Sequence, residues 1–129
     1  KYRFLANEGK MDSKEALNLK KQLFEADSNN ENLTHYHIAL IDFETLSSLA
    51  DTHKKPPEFF IAPLLDYITK FGEQDRANLW RLHMIISQVY YDKNQKQEAL
   101  THAKLGQISA PKLVQSEIAI LIKNIEAIN

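Results

Sequence analysis

The stretch from Trp80 to Pro111 constrains the fold more than any other part of the chain. Leu82, Ile85, Ile86, Val89 and Tyr90 recur at the spacing of one helix face, and Ala99, Leu100, Ala103 and Leu105 repeat that spacing further on. Between them lies Asp92-Lys93-Asn94-Gln95-Lys96-Gln97, too polar and too short to be anything but a turn and its flanks. Two helices joined by so short a break fold back on each other as an antiparallel hairpin.

Small residues fall where such a hairpin would cross. Ser87 lies in the first helix, Ala99 opens the second, Gly106 lies near its end, and Pro111 follows. Small side chains let two helices approach closely, because interaxial distance follows side-chain size at the crossing. With Tyr90 filling the gap beside them, this arrangement resembles a tetratricopeptide repeat, a 34-residue helical hairpin that stacks on copies of itself. Three positions depart from the family pattern. Ala103 stands where a large residue is usual, His83 where Trp or Leu is usual, and Lys96 is polar at a turn position that is often apolar. Glu98-Ala99-Leu100 has a counterpart in Glu15-Ala16-Leu17, also preceded by a short polar turn. Their interval fits two repeats of roughly 41 residues better than two of 34, which predicts an elongated repeat between them. The resemblance implies an all-α fold of about three stacked antiparallel hairpins plus a C-terminal helix.

The remaining elements follow in chain order. Tyr2, Phe4, Leu5 and Ala6 form a short helical pattern, and Asn7-Glu8-Gly9-Lys10 a turn in which Gly9 can take a positive φ. Asp12-Ser13-Lys14-Glu15 has the form of a capping box with Asp12 accepting and Glu15 reaching back. The next helix should stop near Ala26, because Asp27-Ser28-Asn29-Asn30 favours local side-chain bonds. Residues 31–51 carry one long pattern that includes Leu33, Tyr36, Leu40, Phe43 and Ala50, apolar over more than a narrow stripe. Thr52 to Pro57 breaks it, since two prolines cannot donate. A strongly apolar helix from Phe59 to Phe71 follows, with Pro63 inside it and Gly72 at its end. The last pattern, Leu113, Val114, Ile118, Leu121, Ile122, Ile125 and Ile128, reads as a cap or the start of a further repeat. Ile120 widens its apolar face beyond what one neighbour would cover.

The 129 residues suit one domain, on a prior of about 100–200 residues each. A chain that opens on Lys1 with helical pattern already under way at Tyr2 is expected to be a fragment of a longer protein. A net charge of -1 offers no basic field for nucleic acid or anionic lipid. No apolar run approaches the roughly 18 residues that span a bilayer. Three glycines build no phosphate loop, and zero cysteines leave neither disulfide nor thiolate ligand. Neither count fixes the compartment.

Catalytic and metal chemistry find no constellation here. His35 and His37, two apart on a helix, diverge by about 200°, and no His-x-x-x-His occurs, so neither metal nor cofactor is expected. Asp42 and Glu44 share a helix but not a face. The aromatic set Tyr36, Phe43, Phe59, Phe60, Tyr67, Phe71 and Trp80 reads as core. The resemblance implies a non-catalytic module that binds a protein or peptide on the concave face of the stack. In that register Arg81, Met84, Gln88 and Tyr91 face inward, and His37, Glu44 and Ser48 form the corresponding polar face of the middle repeat. The alternative is a ligand- or peptide-sensing regulatory domain of a larger signalling or transcription protein. A second copy of the chain would also cover apolar surface left at the end of the stack.

Overall fold

The computed structural model describes residues 1–49 and 54–128. It is all-α: seven helices and no strand among the described residues. The helices are α1 (Tyr2–Asn7), α2 (Lys14–Ala26), α3 (Thr34–Ser47), α4 (Pro57–Phe71), α5 (Arg76–Asp92), α6 (Lys96–Ser109) and α7 (Lys112–Glu126). Ala50, Asp51, Thr52 and His53 lie outside the described residues. The chain divides into two compact units, Lys1–Tyr67 and Ile68–Asn129.

In the first unit, α1, α2 and α3 enclose a core of Tyr2, Leu5, Ala6, Ala16, Ile38 and Ile41. Gly9 takes the positive φ expected of it, +75°, and its N–H closes α1 by donating to the carbonyl of Ala6. The cap of α2 is Ser13, not Asp12: the Ser13 hydroxyl accepts from the N–H of Ala16 at 3.1 Å. Both residues can cap, but Ser13 has the extended backbone that precedes a first helical turn. Glu15 pairs loosely with Lys1 instead of reaching back.

Side chains, rather than a regular turn, build the connection to α3. The Asp27 carboxylate accepts from the N–H groups of Asn32 and Thr34, the latter at 3.0 Å. Asn30 accepts from the N–H of His35 at 3.0 Å and donates to the Tyr67 hydroxyl at 2.7 Å. These bonds hold Asn30 and Leu33 at φ near +60°, an uncommon conformation for such residues. They also delay the start of α3 to Thr34, three residues later than the apolar pattern predicts. In α4, Phe60, Ile61, Leu64 and Tyr67 are buried, with Tyr67 edge-on to Tyr36 of α3.

The second unit is the hairpin α5–α6 with α7 packed on α6. The turn at 93–95 uses Asn94 at φ +62°, and the N–H of Gln95 bonds back to the carbonyl of Tyr90. Leu82, Ile86, Ser87 and Tyr90 of α5 are buried, as are Ala99, Leu100, Ala103 and Gly106 of α6. Ala103 and Leu100 also meet α7, in a core with Ala110, Ile118, Ile122 and Ile125. Three residues of the expected apolar pattern are exposed: Leu113, where α7 has barely begun, Leu121 within α7, and Ile128 just past its end. Ile120, which widened the apolar face, is 62% exposed.

Candidate functional site

The crossing of α5 and α6 is as close as its small residues predict. The Ser87 hydroxyl donates to the carbonyl of Ala99 at 2.7 Å, so a side chain of one helix bonds directly to the backbone of the other. A Cβ on Gly106 would lie 3.2 Å from the Trp80 carbonyl oxygen and 3.3 Å from the Cβ of His83. No larger residue fits there without parting the helices.

That closeness brings two histidines together. His83 of α5 and His102 of α6 have their Nδ1 atoms 3.0 Å apart. The His102 ring stacks on Tyr90, with centroids 5.7 Å apart and planes 20° from parallel. Burial, then the neighbouring His102, pushes His83 down to about 4, and burial lowers His102 as well. Both rings are therefore neutral at pH 7. His83 departs from the repeat pattern, which favours Trp or Leu at its position. It occupies that buried position with a polar partner.

Four residues expected on the inner face of α5 divide. Met84, Gln88 and Tyr91 line one groove of about 420 Å³ between α5 and α7, together with Leu121, Asn124 and Ile125 of α7. Arg81 is not part of it; its guanidinium lies 5.5 Å from the ring centroid of Trp80. Lys96 closes one end of the unit by donating to the backbone carbonyls of Glu126 and Ile128, an orphan end of α7 that a cation suits. The three residues expected from the middle repeat are all exposed on α3 or at its C-terminal end, and each is engaged locally. His37 meets the ring of Tyr36, Glu44 pairs with Arg3 at 3.3 Å, and the Ser48 hydroxyl donates to the Thr45 carbonyl at 3.0 Å.

The first unit holds a buried polar cluster that the sequence pattern did not single out. Asp42 of α3 accepts from the Tyr2 hydroxyl of α1 and from Lys20 of α2, the latter at 2.8 Å. Lys20 also lies over the Tyr2 ring, 5.5 Å from its centroid. Burial first, and then the bond to Asp42, push the Tyr2 phenol well above its ordinary value. One carboxylate thus ties three helices, with each oxygen satisfied by a different one. Nothing in the spacing around Asp42 announces its partners, which are 40 and 22 residues away. Among the described residues, no group of three or more His, Cys, Asp or Glu is placed to hold a metal ion, and no helix is long and apolar enough to cross a membrane.

Packed α-helices, with no strand among the described residues, are the class that the geometry defines. No family model matches the chain, and no solved structure matches it. It is similar to a thioredoxin-related protein, DsbJ, of Chlamydia pneumoniae, 42% identical over 120 residues. The alignment covers 92% of this chain and 34% of that protein, so the chain spans about a third of the length of the curated relative it matches. This match corrects the functional expectation. A relative alike over nearly the whole chain bears a thioredoxin-related name, not that of a repeat-built peptide-binding module or of a sensor in signalling or transcription. The expectation failed for a physical reason: a helical hairpin pattern reports packing, and packing is shared by proteins of many functions.

Proposed function

We propose that these 129 residues are a cysteine-free helical segment of a thioredoxin-related protein, whose thiol–disulfide chemistry is carried by residues outside them. The observation that carries this reading is the 42% identity over 92% of the chain. Exchange proceeds by attack of a thiolate on a disulfide sulfur. This chain has no cysteine. A thioredoxin-like redox site is a Cys-x-x-Cys beside a βαβ pattern, and the described residues contain no strand. The segment thus supplies neither nucleophile nor scaffold for the exchange. Its part in this reading is a helical body that stays the same in both redox states, since it has no thiol to oxidise or cross-link. The hairpin α5–α6 is further proposed to be a diverged tetratricopeptide-like repeat. Buried Ser87, Ala99 and Gly106 at its crossing support that, and His83 and Ala103 mark the divergence.

Reduction of insulin disulfides by dithiothreitol tests the functional reading. The natural protein that carries this chain should accelerate the reaction, and residues 1–129 alone should match the buffer rate. A natural protein that leaves the rate unchanged would refute it.

A further inference from the structure

The two histidines of the second unit are arranged for a hydrogen bond and not for a metal. Their Nδ1 atoms are 3.0 Å apart while their ring centroids are 5.2 Å apart, with planes tilted by 33°. The nitrogens therefore lie between the rings and point at each other. A shared metal would need both lone pairs to converge on a third point. A bond between two neutral imidazoles also requires opposite tautomers, one ring protonated on Nδ1 and the other on Nε2.

Little else acts on the pair. Tyr90 covers His102, and Gly106, one turn beyond His102, brings α6 up to the Cβ of His83. The carboxylates of the three packed helices, Asp92, Glu98, Glu117 and Glu126, are all exposed, and among the described residues none bonds to either ring. The cations of these helices are exposed too, apart from Lys96, which is engaged by α7 carbonyls. A proton arriving on either ring finds no bonded carboxylate among the described residues to offset its charge.

We propose that the His83–His102 pair is an acid-released latch, which closes the α5–α6 hairpin while both rings are neutral and opens it when they take up protons. A first proton can still be shared along the Nδ1···Nδ1 line, but it brings a charge into a buried site. A second turns both nitrogens into donors and sets like charges against each other at that distance. The sign follows from the direction of the shifts. Both folded-state values lie below the ordinary 6.5, with His83 at about 4. The unfolded chain therefore binds protons first, and stability is complete above about 6.5 and lost as pH falls from there toward 4. The latch does not rest on the redox reading.

Trp80 is the chain's single tryptophan and lies one turn before His83, so its fluorescence reports this hairpin. Thermal unfolding followed at Trp80 would compare the natural chain with a His83→Leu, His102→Phe double variant at about pH 7.5 and about pH 4.5. The natural chain should lose more than the variant between the two pH values, by at least about 4 °C in Tm. Equal losses would overturn the latch. Should the variant not fold, imidazole NMR of the natural chain decides. Opposite tautomers at neutral pH and midpoints below 6.5 for both rings are expected. Either ring titrating at or above 6.5 would overturn it.

Discussion

Replacing Gly106 by alanine sets two effects of opposite sign against each other, and the structure decides between them. In a helix interior, Gly→Ala gains about 1 kcal/mol of propensity. The new Cβ would meet the Met84 sulfur at 3.0 Å, the Trp80 carbonyl oxygen at 3.2 Å and the His83 Cβ at 3.3 Å. Met84 is half-buried at the end of a flexible chain and can yield. The other two atoms belong to α5 backbone, or are one bond from it, and cannot move unless α5 moves. Shifting α5 would stretch the Ser87–Ala99 bond and the His83–His102 bond together. Overpacking of this kind costs about 1–3 kcal/mol. The clash therefore outweighs the propensity gain, and the net loss is about 1 kcal/mol. Urea unfolding followed by Trp80 fluorescence would measure it as a lower midpoint with unchanged slope. A variant as stable as the natural chain, or more stable, would refute the close crossing on which the second unit is built.

Other perturbations test the remaining contacts. Ala99→Leu, at a site with no exposed surface, should cost about 1–3 kcal/mol, whereas Thr101→Leu on the exposed side of α6 should stay within about 0.5 kcal/mol; thermal melts of equal midpoint would show the register to be wrong. Asp42→Ala leaves the Tyr2 hydroxyl and the Lys20 ammonium without their acceptor, and circular dichroism in urea should report a loss of about 2 kcal/mol. Burial acts to raise Asp27, but bonds from Thr34 and then Asn32 outweigh it and hold the carboxyl below 3.8. The Asp27 carboxylate thus stabilises the fold above its unfolded value, a contribution lost as pH falls through the folded one. Asp27→Asn should flatten the acid limb of an ellipticity–pH curve below about pH 4, and an unchanged limb would count against the Asp27 connection.

What could be read from the sequence was local or periodic. The ends of α2, α5 and α6 follow from polar runs, and the crossing of α5 and α6 follows from the small size of Ser87, Ala99 and Gly106. Where two neighbours could both cap, as at Asp12 and Ser13, pattern alone picked the wrong one, because backbone geometry decides. The late start of α3 was hidden because it depends on Asp27 and Asn30 bonding to residues five and more away. The burial of His83 beside His102 needed the register of one helix against another, which periodicity within each cannot supply. The same holds for Asp42, whose partners come from two other helices. The proposed thioredoxin relationship left no trace for a different reason: the chain has no cysteine, the residue by which such chemistry is recognised.

Differential alkylation of the natural protein that carries these 129 residues tests that relationship most directly. The protein would be blocked with one maleimide, reduced with dithiothreitol, labelled with a heavier one, and weighed intact and after digestion. The proposal predicts a pair of cysteines that takes the second label only after reduction, with every labelled peptide outside the segment described here. A natural protein that takes up no label in either state would contradict it.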